Sequence, residues 1–335
     1  MSKSELTIEE YAPVLIPTLC RYETLKKCLD SLSVCTGASS TDVHVALDYP
    51  SNEKHWAGYY KISSYLEGLT GFKNVFVYKR ENNYGIIKNA QDLIQRVSNQ
   101  YSCFIFTEDD NEFSPNFLEY INKGLKKYRD NPDVIAICGF NYPFPYLNNI
   151  KGYYCNAYPV KAYTAWGVAR WTNKIPYDFV NEKKATEIVY SWEMVKKLWK
   201  LGMHATVHRL LYRHKEGYSD LMYHIYFLLN NKYAIFPAIS KVRNWGFEGN
   251  ASHCYENPIY AKQKIDDATS FDYDDFEIKD YSAITKIHQK MYGRGFWVRR
   301  LCELEYLLFR MTGHVLRDFR LIAFFQGRNK AKSHT

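Results

Sequence analysis

Three consecutive carboxylates, Glu108, Asp109 and Asp110, follow directly on an apolar run in the stretch FIFTEDDNEFSPNF, residues 104 to 117. Adjacent like charges repel, and a hard divalent cation relieves that repulsion. Mg²⁺ or Mn²⁺ takes oxygen ligands and shares them with substrate phosphates. The competing reading is a solvated acidic turn, since loops are usually polar and exposed. What separates the two is the element that presents the acids. The run Cys103 to Phe106 reads as a buried strand of a parallel sheet. Beyond the acids, Ser114 as N-cap and Pro115 at the first helical position are expected to open a helix. The triplet therefore sits where a strand leaves a sheet, the edge at which open α/β sheets bind ligands.

Stepping along the chain gives that strand its neighbours. Val14 to Ile16 is a short strand closed by Pro17-Thr18, and a helical pattern starts at Arg21 and runs through Leu25, Cys28, Leu29 and Leu32. DVHVALD, 42 to 48, alternates and ends in Asp48. A helix is expected from Glu53 to Leu69 and a strand from Asn74 to Tyr78. A turn at Asn82 to Gly85 then leads into another helix. After the acidic strand and the Pro115 helix comes a strand at Val134 to Cys138. This alternation predicts an α/β fold with a doubly wound, mostly parallel sheet. The second half is less regular. Its clearest helix is Tyr218 to Leu229, and its clearest loop is Lys241 to Cys254, rich in Gly and Asn.

Several chemistries are excluded. No GxGxxG follows the first strand, and GxxxxGK[ST], HExxH and GxSxG are all absent. Phosphates, if bound, must be held by a metal and by basic side chains. Net charge is +8, which suits anionic ligands or membrane surfaces without naming one. The aromatic content, 30 Tyr, 19 Phe and 7 Trp, suits a carbohydrate-handling surface, and core packing explains it as easily. Eight scattered cysteines without a CxxC pair read as reduced core residues of a cytoplasmic protein. The opening MSKSELTIEEY is unlike a secretory signal, and no apolar stretch approaches the roughly 18 residues that span a bilayer. A Golgi-type anchor is therefore not expected.

In four places, in order, the sequence resembles GT-A glycosyltransferases. PVLIPTLCRYETLKKCLDSL, 13 to 32, is like their opening strand and helix. NNYGIIKNAQ, 82 to 91, is similar to the NxGxxxN element of bacterial family-2-type members. TEDDNEFSPNFLEY, 107 to 120, resembles the EDD segment of N-acetylglucosaminyltransferase I and its relatives. Residues 218 to 254 are similar to the acceptor-side helix, Pro-containing strand and closing loop. The resemblance implies a GT-A domain over 1–255, with a nucleotide-sugar half at about 11–140 and an acceptor half at about 141–255. A helical basic extension follows at 256–335.

Roles follow from the resemblance. Asp110 is the carboxylate that binds Mn²⁺ or Mg²⁺ directly, and His253 has a metal or phosphate role beside it. Glu108 and Asp109 face the ribose and donor sugar. Thr18 and Arg21, just after the first strand, lie near the diphosphate, where an Arg fork suits phosphate oxygens. Asp48 contacts the nucleobase. Asn83, Gly85, Lys88 and Asn89 border the nucleotide pocket. Tyr163, Trp166 and Gly167 lie beside the sugars, and Trp245, Gly246, Phe247 and Gly249 form a closing loop. Asp220 is the implied general base, with Glu216 and Glu193 as alternates. Each has a plain counterpart: a turn Asp at 48, a helix cap at 220, a turn glycine at 85, core aromatics at 163 and 166.

The expected activity is inverting transfer from a nucleoside-diphosphate sugar, a UDP-sugar foremost, to a glycan or lipid-linked saccharide in surface polysaccharide synthesis. Residues 286 to 332 mix arginines with large apolar residues at helical spacing. That suits a peripheral contact with an anionic membrane on its inner face, a helical pair packed on the catalytic domain with a solvated basic face, or a dimer contact. No nucleic-acid motif accompanies the charge. Two rivals remain. A sugar-nucleotide pyrophosphorylase shares the alternating pattern but needs a Gly-rich loop where PTLCRYET has no glycine. A carbohydrate-binding protein of the same fold without turnover is the other.

Overall fold

The computed structural model describes residues 11–143, 155–176, 179–216, 219–248, 258–274 and 294–316. Backbone contacts divide the chain into two compact units. Unit 1 comprises Met1–Pro176 with Asn231–Ile284, and unit 2 comprises Tyr177–Asn230 with Thr285–Thr335.

Unit 1 opens with the expected alternation: β1 (Val14–Thr18), α1 (Tyr22–Ser33), β2 (Asp42–Leu47), α2 (Glu53–Glu67), β3 (Asn74–Lys79), α3 (Gly85–Ser98) and β4 (Cys103–Phe106). These four strands are parallel neighbours in the order β3-β2-β1-β4. The chain therefore builds outward from β1 on one side and then crosses to its other side. The reversal falls between β1 and β4, and it opens a crevice at their carboxyl ends. Apolar residues at Leu25, Cys28, Leu29 and Leu32 give α1 one buried face, the spacing of an amphipathic helix on a sheet.

The sheet continues past β4 through β8 (Val168–Trp171), β6 (Val134–Cys138), β9 (Tyr233–Pro237) and β7 (Ala157–Val160), giving eight strands. β8 is antiparallel to both β4 and β6, β6 and β9 are parallel, and β7 is antiparallel to β9. The result is a mixed, largely parallel sheet with flanking helices, consistent with the GT-A fold. Its core includes Ile16, Val45, Ile105, Phe117 and Ile137.

The helix expected at Ser114-Pro115 starts later, as α4 (Phe117–Lys127). Residues just after the acids form β5 (Asn111–Phe113) instead, paired antiparallel with β10 (Val242–Asn244). Ser114 extends this ladder, its N–H donating to Lys241 O at 2.9 Å. Its hydroxyl donates to Asn116 Oδ1 at 2.9 Å, so it does not cap a helix. A partner 127 residues away overrode the local signal. The expected loop from Lys241 correspondingly begins as β10, followed by a 3₁₀ turn at Trp245–Glu248. A short α9 (Pro258–Ala261) follows.

Unit 2 is helical: α5 (Glu182–Tyr190), α6 (Trp192–Lys200), α7 (His204–Arg213), α8 (Ser219–Leu229) and α10 (Phe296–Thr312). Its core joins Leu198, Leu210, Leu211 and Ile225 to Tyr306 and Phe309 of α10. This face of α10 is therefore packed within unit 2. Among the described residues, the cysteines are free and no helix is long and apolar enough to cross a membrane.

Candidate active site

Asp109 and Asp110 lie at the carboxyl end of β4, each 4 % exposed. Two carboxylates this deeply buried require partners. The turn after β1, next door across the crevice, supplies them. Thr18 Oγ1 donates to Asp109 Oδ2 at 2.7 Å. The Arg21 guanidinium spans the pair, one nitrogen on Asp110 Oδ2 at 2.9 Å and the other on Asp109 Oδ1. Burial raises the Asp109 pKa, opposed by the Arg21 charge and reinforced by Asp110. The paired carboxylates in turn hold the Arg21 pKa up against the opposing effect of burial.

The other side of Asp110 is held from β10. Asn244 Nδ2 donates to Asp110 Oδ1 at 2.7 Å and to Asn111 Oδ1 at 2.9 Å. Asn244 Oδ1 accepts from Gly246 N at 2.9 Å, and Trp245 N donates to Asp110 O at 2.8 Å. The β5–β10 ribbon thus fixes the last acid and the start of the closing segment together. The Trp245 ring meets two cations, Lys27 Nζ and the Arg243 guanidinium, each 3.9 Å from its centroid. Glu108 accepts from Trp166 Nε1 at 3.0 Å. The Trp166 ring packs edge-on against Phe140 and Phe247.

Gly167 has φ +66°, and a Cβ there would lie 2.8 Å from Val242 Cγ2. Its carbonyl accepts from Gly139 N at 2.7 Å. Gly167 therefore shapes the backbone behind the site. Tyr163 is buried. Cys28 reaches the Glu108 carbonyl at 3.7 Å, and burial pushes its thiol well above the ordinary value.

Asp48, just past β2, anchors the Asn82–Gly85 turn. Its Oδ1 accepts from Tyr49 N at 2.9 Å and Tyr84 N at 2.8 Å. Its Oδ2 accepts from Gly85 N at 2.9 Å and Asn83 Nδ2 at 3.4 Å. A carboxylate has about four lone-pair sites, and all four are taken. Gly85 makes this possible with φ +72°. Lys88 is exposed, its Nζ 4.2 Å from the Tyr84 ring centroid. Asn89 is buried and joins Arg80 to Ala46 O.

The structure therefore brings Thr18, Arg21, Glu108, Asp109, Asp110, Trp166, Trp245 and Gly246 together, with the Asp48 turn at the neighbouring strand. Asp220 belongs to unit 2, in the first turn of α8. Glu193 lies in the first turn of α6, and Glu216 in a short 3₁₀ turn. His253 and Gly249 fall outside the described residues. The sequence reading missed Asn244 and Asn111. The only signal was a polar residue directly before the Trp-Gly pair of the closing segment.

The glycosyl transferase family 2 model matches residues 14–185, just over half of the chain. No curated protein matches the sequence. Among solved structures, the chain is similar to TarS 1-349 of S. aureus at 14 % identity and TM-score 0.34, over 50 % of this chain and 51 % of that one. It is also similar to the mannosyltransferase PcManGT of Pyrobaculum calidifontis, in complex with GDP-Man and Mn²⁺, at 11 % identity and TM-score 0.39, over 66 % and 70 %. The chain thus spans about half the length of the TarS fragment. On this family match, the chain belongs to glycosyl transferase family 2.

Proposed function

We propose that this glycosyltransferase moves a sugar from a nucleoside-diphosphate donor, foremost a UDP-sugar, to a hydroxyl of a glycan or lipid-linked saccharide, with inversion and with a divalent cation. The observation that carries the reading is the buried Asp109–Asp110 pair at the β1/β4 crevice, already built around a positive charge. Both carboxylates turn oxygens toward one guanidinium. The donor set is all oxygen, which suits Mn²⁺ or Mg²⁺. Among the described residues, no three His, Cys, Asp or Glu side chains are arranged to hold a metal alone. Mg²⁺ is commonly held by one or two carboxylates and completed by substrate phosphates. Asp110, with Asp109, would hold it, and the ion would offset the charge that develops as the diphosphate leaves.

The chain's own groups do the rest. Arg21 offers a fork to the phosphate oxygens, Asp48 keeps the Asn83–Gly85 wall in place, and Trp166 holds Glu108 toward the sugar. Asp220 takes the proton of the attacking hydroxyl, a role worth about 10²- to 10⁴-fold. Surface polysaccharide synthesis and peripheral contact of the C-terminal region with an anionic membrane complete the reading.

One experiment tests it. The protein is incubated with a panel of nucleotide sugars and Mn²⁺, and UDP affinity is measured by calorimetry. Diphosphate release is expected with one donor, whereas pyrophosphate exchange would mark a pyrophosphorylase. Asp110→Asn is expected to abolish the Mn²⁺-dependent part of UDP binding. Asp220→Asn should keep UDP affinity within a few-fold while transfer drops at least a hundredfold. Mn²⁺-dependent binding that survives Asp110→Asn would overturn the metal assignment.

A further inference from the structure

Exposed large apolar side chains concentrate in one place. Of the fifteen such residues recorded among the described ones, seven lie between Phe296 and Met311 on α10. Trp297, Leu301, Leu304 and Met311 are 77, 66, 62 and 85 % exposed. Their spacings of four, three and seven place them on one stripe of the helix. The other face carries Tyr306 and Phe309, buried in the unit 2 core, with Glu305 buried at its edge. So α10 is apolar on two sides, and its own fold covers only one. A contiguous patch of this kind marks an interaction surface, unlike singly scattered apolar residues.

The charges sort the same way. Glu303 Oε1 lies 2.8 Å from His204 Nε2, and Glu305 Oε2 lies 2.7 Å from His208 Nε2. Glu305 also accepts from the Tyr212 hydroxyl. Both acids of the helix are thus committed to α7. Arg294, Arg299, Arg300 and Arg310 are all exposed. Among the described residues, Arg300 also reaches an acid, Glu303, at 2.6 Å. The outward surface is apolar residues and arginines. A second copy of this face would set arginines against arginines with the acids turned away. An anionic lipid surface takes both components, the apolar stripe into the acyl boundary and the arginines onto the head groups.

We propose that the outer face of α10 is the surface by which this glycosyltransferase docks on anionic phospholipid. The proposal rests on the peripheral-contact reading and gives that contact an address. The full-length chain is sedimented with vesicles of phosphatidylcholine alone and of phosphatidylcholine mixed with phosphatidylglycerol, at low and physiological salt. Binding is expected to the anionic vesicles, weakening as salt rises. The variant Leu301→Gln/Leu304→Gln/Met311→Gln should lower the partition coefficient at least tenfold with an unchanged melting temperature. Arg294→Gln/Arg299→Gln, which leaves every apolar residue in place, should lower it several-fold at low salt. Anionic binding retained by both variants would overturn the assignment to α10 while leaving peripheral contact intact. No binding by the wild-type chain would overturn both. A dimer that the triple variant dissociates, without vesicle binding, would make a second copy the occupant and sink the proposal.

Discussion

Arg21 answers two carboxylates at once, and this makes it the residue on which ion and nucleotide binding turn. Its guanidinium sits on the oxygens a cation would take. An ion entering with a diphosphate leaves Arg21 a new anionic partner, whereas an ion entering alone must displace it with nothing in exchange. Arg21→Gln should therefore shift two affinities in opposite directions. Binding of free Mn²⁺ without nucleotide is expected to rise, and UDP binding in the presence of Mn²⁺ to fall, each by about tenfold, the scale of one charge-assisted hydrogen bond. Calorimetry of Mn²⁺ alone and of UDP with Mn²⁺ reads both. Parallel losses would mean that Arg21 only supports the fold. At this scale the triplet and the Arg were legible because they flank adjacent strands early in the chain. Asn244 was not: it meets Asp110 only through the ribbon, 134 positions apart. Nor was the saturation of Asp48, whose donors include three backbone N–H groups that carry no sequence signature.

Among the elements, β2 shows what alternation reveals and what it hides. Val43, Val45 and Leu47 enter the main core as the pattern implied. His44, on the other face, is 1 % exposed and stacks on Phe76 at 4.7 Å, with Nδ1 2.9 Å from the Tyr78 hydroxyl. Its Nε2 is buried without a recorded hydrogen-bond partner. Burial pushes its pKa down to about 4. The fold holds the ring neutral, whereas the unfolded chain takes up a proton below about 6.5. The stabilisation is therefore full above about pH 6.5 and lost as pH falls toward 4, with a ceiling on the order of 3 kcal/mol. His44→Phe keeps the stacked ring and removes the titration. Urea unfolding at pH 7 and pH 4.5 should show a smaller acid loss in the variant, and equal losses would remove His44 as the cause. The β5–β10 pairing was illegible for a related reason. A three-residue strand has too short a pattern to read, and Ser-Pro offered a competing local signal.

For the whole molecule, the alternating α/β half was legible from its periodicity, while the grouping of the helices was not, because unit 2 is assembled from two separated segments. A chain ended at residue 285 tests that assembly. Among the described residues, the main core of unit 1 draws its buried residues from Ala12 to Phe271 and takes none from 177–230 or beyond 284. The core of unit 2 loses Tyr306, Phe309 and Val315. Deleting one buried aromatic side chain typically costs about 3 to 5 kcal/mol. Two of them, with the helix that carries them, approach the roughly 5 to 15 kcal/mol that holds a whole domain together. The shortened chain should therefore keep unit 1 and lose unit 2. Hydrogen exchange should show β1, β2 and β4 as slow as in the full chain, with α5 to α8 exchanging as freely as unfolded peptide. Mn²⁺-dependent UDP binding, which the proposed site assigns to unit 1, should persist, while transfer should fall because the proposed base, Asp220, belongs to unit 2. If α5 to α8 stay protected without α10, the C-terminal helix is an appendage, and its inner face carries no share of unit 2 stability.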